Sequence, residues 1–214
     1  MRIGILGTGN VGQSLGTGFA TLGHDVKMGS RDPNSDKVKE WVEKNGDRAS
    51  AGTFSEAATF AEVAVIATLW GGTENAIALA DPHNLAGKVV IDTINPLVFK
   101  EGAPPSLAVG HTDSASEQVQ RWLPEAYVVK AFNTVGSPHM FNPQFPGGPP
   151  DMFICGEDSN AKKIISEFCE AFGWSPIDIG GIQGACILEP MCILWVTYGI
   201  RTGTWNHAFK LLKK

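Results

Sequence analysis

The chain has 214 residues, a formal net charge of -5, and 43% hydrophobic and 18% charged residues, with a pI near 5.5. That composition suits a globular protein with one full core and a short appended element. No Lys- or Arg-rich run is present, and an acidic surface repels phosphate backbones, so nucleic acid is excluded and a small-molecule partner is expected.

The opening "MRIGILGTGN" meets glycines too early for a secretory signal, so the expected location is the cytoplasm. "RIGIL" (Arg2 to Leu6) reads as a buried strand, Asn10 to Leu22 as a helix, and "HDVKM" (His24 to Met28) as a second strand. Asn34 to Asn45 follows as an exposed helix with Val38, Trp41 and Val42 turned inward. Thr53 stands three residues before Glu56, the spacing of a capping box, and starts a helix ending near Ala61. Three more strands are expected: "EVAVIAT" (Glu62 to Thr68), "KVVIDT" (Lys88 to Thr93) and "YVVKAFN" (Tyr127 to Asn133), with helical patterns before the last two.

Gly102 to Pro105 and the Pro- and Gly-rich stretch Phe141 to Pro150 read as loops, the second as a surface excursion or a lid. Beyond them come a strand (Asp151 to Gly156), a helix (Asn160 to Phe172) and a further strand (Ser175 to Gly180). The apolar stretch Gly184 to Ile200 is interrupted by Glu189 and Pro190, is too short for a comfortable membrane span, and is expected to be a buried helix. Cys155, Cys169, Cys186 and Cys192 lack metal-site or redox-pair spacing and read as free thiols. No HExxH, CxxC or carboxylate cluster suggests a metal.

Strands alternating with helices imply an α/β, Rossmann-type doubly wound, mostly parallel sheet with helices on both faces. Residues 1–214 are expected to form one dinucleotide-binding domain, with residues 151–214 a small C-terminal extension that completes the cleft.

"GTGNVG" places Gly7, Gly9 and Gly12 between the first strand and the first helix, the context a dinucleotide-binding turn requires. Gly7 permits the turn, Gly9 lets backbone approach a pyrophosphate, and Gly12 allows helix to pack on strand. The amides around Thr8, Asn10 and Val11 then face the phosphates at a helix N-terminus. At the end of the second strand, where a carboxylate would accept from the ribose of an unphosphorylated dinucleotide, this chain has Gly29, Ser30 and Arg31. A guanidinium forks onto a 2'-phosphate and a serine hydroxyl can donate to it, so the pair favours NADP(H). Asp32 is expected in a turn or helix start, and Lys37 either near the 2'-phosphate or on a solvated helix face.

Ligands in this architecture gather at the carboxyl ends of the strands. Thr68, Leu69 and Trp70 are expected on the adenine or pyrophosphate side. Asn95 and Pro96 are expected to border the nicotinamide, with Ala131 and Asn133 at its ring or carboxamide. Lys130 and His139 are the candidate proton donors, and Glu189 is expected to meet a backbone donor, an arginine or a cofactor.

The stretch "MRIGILGTGNVGQSLGTGFATLGHDVKMGSR", with "AVIAT", "FICGEDSNAKKIISEF", "ILEPMCILWVTYGI" and "HAFKLLKK", resembles the family of deazaflavin-dependent NADP oxidoreductases, and more distantly the NADPH-binding domains of membrane metalloreductases. The resemblance runs over nearly the whole chain. It implies a homodimeric reductase that passes hydride between NADPH and a deazaflavin, with Thr8 to Val11, Ser30, Arg31 and residues near Trp70, Asn95 and Ala131 holding NADP. "DTINP", "KAFNTVG" and the long "FNPQFPGGPP" loop depart from that pattern and leave the acceptor open between deazaflavin and flavin. Two alternatives stand beside it: an NADPH-dependent reductase of a small imine or carbonyl compound, and a non-catalytic NADPH sensor.

Overall fold

In strand β1 (Arg2–Leu6), Ile3 and Ile5 enter one buried cluster while Leu6 enters another. A strand apolar on both sides is stable only where both faces of its sheet are covered. The computed structural model, which describes all 214 residues, shows how the chain achieves this. Helix α1 (Asn10–Thr21), β2 (Asp25–Ser30), α2 (Asp36–Asn45), β3 (Ala49–Thr53), α3 (Phe54–Phe60), β4 (Val63–Ile66), α4 (Trp70–Ala80) and β5 (Val89–Asp92) form the first run of alternating units. A small antiparallel hairpin, β6 (Leu97–Val98) with β7 (Ser106–Leu107), leads to α5 (Ala115–Trp122) and β8 (Tyr127–Lys130). Then come β9 (Asp151–Gly156), α6 (Ser159–Ala171), β10 (Ser175–Asp178) and α7 (Ala185–Thr202).

Eight strands form one sheet in the order β10-β9-β8-β5-β4-β1-β2-β3. Every pairing is parallel except that of β8 with β9. The order reverses direction between β1 and β4, which opens a crevice at the carboxyl ends of those strands. Helices α1, α2 and α6 cover one face through Leu15, Phe19, Trp41 and Phe168. Helices α3, α4 and α5 cover the other through Ala57, Ala58, Ala76, Ile77 and Val119. The expected capping box is present: Glu56 N–H donates to Thr53 Oγ1 at 3.2 Å, and Thr53 N–H to the Glu56 carboxylate at 2.7 Å.

Several expectations need correction. The second strand runs to Ser30 instead of stopping at Met28, so Ser30 is the last sheet residue and Arg31 the first beyond it. Ala49–Thr53, unassigned in the sequence, is an edge strand paired with β2 from Val26↔Ala49 to Ser30↔Thr53. Its sequence "ASAGT" has little intrinsic strand preference, and the ladder with β2 supplies what propensity does not. The strand expected over Tyr127 to Asn133 ends at Lys130, and the chain turns away at Phe132, whose φ is 58°.

Helix α7 is not wholly buried. Leu188, Glu189, Cys192 and Trp195 face the protein, but Ile187 is 62%, Leu194 60% and Tyr198 51% exposed. With the turn before it, the helix is long and apolar enough to cross a membrane by length and composition. Beyond it the tail lies along the start of β9, where Asp151 N–H donates to Phe209 O at 3.0 Å.

Candidate active site

The three glycines of the first turn do different work. A Cβ on Gly7, whose φ is +133°, would collide with the carbonyl of Ala67, and one on Gly12 with the carbonyl of Gly7. Those two positions are dictated by the protein's own packing. A Cβ on Gly9 would meet nothing within 4 Å. Gly9 is also the N-cap of α1, with extended backbone and no side chain to accept from the first-turn amides. Those amides open onto the crevice beside Thr8, which is half-buried, and Asn10, which is exposed. An open cradle ending in uncapped amides fits the pyrophosphate of a dinucleotide.

At the end of β2, the Ser30 hydroxyl accepts from Asp32 N–H and donates to Asp32 O, both at 3.0 Å, and so shapes the turn that presents Arg31. Asp32 in turn accepts from Asn34 N–H at 3.0 Å, a turn-forming role. Arg31 is exposed, and none of the five ion pairs in the structure uses Arg31 or Lys37. Both cations are therefore free for an anionic ligand.

Across the crevice, Thr68 Oγ1 lies 2.9 Å from Thr73 Oγ1 and helps fix the start of α4. Leu69 there is 89% exposed. Trp70 stacks on Trp122, with ring centroids 5.6 Å apart. Farther along, Asn95 and Asn133 clasp each other: Asn95 Nδ2 donates to Asn133 O at 2.7 Å, and Asn133 Nδ2 to Asn95 Oδ1 at 3.1 Å. Pro96 is buried beside them. Ala131, expected at the nicotinamide, lies inside the core instead. Its N–H donates to Asp92 O at 3.1 Å, just past the last pair of the ladder, Asp92↔Lys130.

Of the two proton-donor candidates, Lys130 is corrected as well. Lys130 has no exposed surface. Its Nζ lies 3.1 Å from Asp92 Oδ2, 3.1 Å from Glu189 Oε1 and 2.6 Å from Ile94 O. Burial alone would push its pKa down, but the two carboxylates outweigh it and hold the ammonium above the ordinary lysine value. Glu189 also accepts from Ala115 N–H at 3.0 Å and Ser116 N–H at 3.2 Å, the first turn of α5. Its own pKa is raised by burial, an effect Lys130 and the Ala115 N–H offset only in part. His139 is half-buried and bonded to Asn206 Oδ1 at 2.9 Å. Asp92, which is not among the candidates expected from the sequence, completes the triad. The signal lay in opposite charges ending two apolar runs, "VVID" and "VVK", and it required knowing that Asp92 pairs with Lys130 in register.

Comparison with known proteins fits this geometry. The family described as "NADP oxidoreductase coenzyme F420-dependent" matches residues 2–96. The F420-dependent NADP reductase of Methanothermobacter marburgensis is 29% identical over 99% of this chain and 98% of its own. Metalloreductase STEAP3 of Rattus norvegicus is 30% identical over 88% of this chain, which spans only 36% of that protein. A solved protein from Arthrobacter sp. FB24, assigned as an F420-dependent NADP reductase, is 35% identical over 100% of both chains with a TM-score of 0.93.

A doubly wound sheet with these relatives defines an NADP-dependent oxidoreductase. More narrowly, the chain belongs to the coenzyme F420-dependent NADP oxidoreductase family.

Proposed function

We propose that the protein binds NADPH across the carboxyl ends of its parallel strands and exchanges hydride between it and a deazaflavin of the coenzyme F420 type, with flavin the next acceptor. The observation that carries the reading is Gly9, which no internal contact requires and which opens an uncapped helix N-terminus to the crevice. In this arrangement the amides after Gly9 hold the pyrophosphate, and Arg31 holds the 2'-phosphate from a turn kept in shape by the Ser30 hydroxyl, whose one hydrogen goes to Asp32 O instead of to the phosphate. Thr68, Leu69 and Trp70 border the adenine or pyrophosphate, and Asn95, Pro96 and Asn133 the nicotinamide. Bound NADPH supplies the hydride. The chain's own residues align two flat rings and keep water out, which requires no committed proton donor. Reduction of an imine or carbonyl would need such a donor, and the candidate Lys130 is sealed inside an ion triad.

Full-length likeness to F420-dependent NADP reductases supports the choice of acceptor. The test is to mix protein and NADPH with deazaflavin, with flavin mononucleotide, or with neither, and to follow the nicotinamide absorbance. Rapid oxidation with deazaflavin and slower oxidation with flavin are expected; no oxidation with either sinks the reading.

Residues 151–214 are proposed to contribute a homodimer interface as well as the far wall of the cleft. Ile187, Leu194 and Tyr198 are exposed at spacings that place them on one side of α7, and a contiguous apolar face of this kind marks an association surface. A Leu194→Glu, Tyr198→Glu protein is expected to sediment as a monomer where the parent sediments as a dimer. A monomeric parent would refute the proposal.

A further inference from the structure

We propose that Lys130 is a positioning residue, which through its triad with Asp92 and Glu189 sets the backbone that receives the nicotinamide end of the cofactor. The inference rests on the NADPH reading above. It deepens that reading by assigning a role to charges that touch neither ligand nor solvent.

The triad grips one short segment from both sides. Ile94 N–H donates to Asp92 Oδ1 at 2.8 Å, and Ile94 O accepts from Lys130 Nζ at 2.6 Å. Both peptide groups of Ile94 are thus tied to the same charged cluster. The next residue is Asn95, whose side chain clasps Asn133, and Asn133 Nδ2 also donates to Leu188 O at 2.8 Å. Asp92 Oδ2 further accepts from the Ser116 hydroxyl. Four pieces of chain therefore meet at one triad: the exit of β5, the exit of β8, the first turn of α5, which bonds the two carboxylates, and the inner face of α7. The exit of β8 also holds Phe132 at a φ of 58°, a conformation that bulky residues avoid unless their surroundings impose it.

Stability does not explain this arrangement. A fully buried ion triad gains little over apolar residues of the same size, because taking three charges out of water offsets their attraction. What apolar residues could not do is bond the Ile94 carbonyl and the α5 amides in fixed directions. The charges therefore define the shape of the crevice wall at Ile94–Asn95 and connect it to α7.

The test uses a neutral, size-matched variant, Asp92→Asn with Lys130→Met and Glu189→Gln. Its melting temperature and its dissociation constants for NADPH and for adenosine 2',5'-bisphosphate, which carries only the adenosine half, are measured beside those of the parent. The half-ligand is expected to bind within about twofold of the parent, while NADPH weakens about tenfold or more and its bound nicotinamide emission shifts toward that of free NADPH, the scale on which small misplacements act. A folded variant in which both ligands keep their affinity, or lose it equally, overturns the proposal and leaves the triad a structural feature. If the triple variant does not fold, Glu189→Gln alone is put to the same ratio and judged by the same two outcomes. A parent protein that binds neither ligand instead sinks the cofactor reading, and this proposal with it.

Discussion

The Gly9→Asp protein is expected to fold at least as stably as the parent and to lose NADPH. Gly9 is the N-cap of α1, with φ -69° and ψ 176°, which an aspartate adopts without strain. Its Cβ would enter open space. The new carboxylate would accept from the first-turn amides and complement the helix dipole, adding a few tenths of a kcal/mol relative to glycine. The same carboxylate occupies and charges the place proposed for the pyrophosphate. Removing two charge-assisted hydrogen bonds at about 1.5–3 kcal/mol each predicts a loss of affinity of more than about a hundredfold. Thermal unfolding and NADPH titration of one preparation check both halves. Gly12→Ala serves as the contrast, because a methyl there meets the Gly7 carbonyl and should lower the melting temperature. Undiminished NADPH binding by Gly9→Asp would remove the observation on which the functional reading rests.

Arg31→Ala should weaken NADPH far more than NADH. Arg31 is exposed and without an ion-pair partner, so its loss disturbs nothing internal. One charge-assisted, forked contact to the 2'-phosphate is worth about 1.5–3 kcal/mol, or roughly 10- to 150-fold in the dissociation constant. The difference should shrink as salt rises, because an exposed pair is screened. Equal losses for both cofactors would refute the assignment of Arg31 to the phosphate and leave the dinucleotide fold standing.

Much of the fold was legible because its signals are local. The apolar runs around Ile5, Val65, Ile91 and Val129 read as strands without any knowledge of their neighbours. The Thr53–Glu56 box and the glycine turn likewise depend on contacts a few residues apart. The edge strand Ala49–Thr53 carried no such signal, since it is made by its ladder with β2. Helix α7 misled for a related reason: its inner and outer faces are both apolar, so periodicity could not reveal that Ile187, Leu194 and Tyr198 are left uncovered.

Within the site, the same division holds. Gly9, Ser30 and Arg31 could be singled out in the sequence because a turn between strand and helix, and the residues just past a strand, are defined by chain order alone. Ala131 and Lys130 could not be placed that way, because side-chain direction at a strand end depends on where the ladder stops, and β8 stops earlier than its apolar run suggested. The triad lay further out of reach. Asp92, Lys130 and Glu189 are far apart in the chain, and only the adjacency of β5 with β8 and the packing of α7 over α5 bring their charges together. The sequence by itself determined the class of fold and the turn where a dinucleotide would enter, since short-range geometry governs both. The tertiary structure alone decided which charges are buried, because burial is set by what the rest of the chain packs against them.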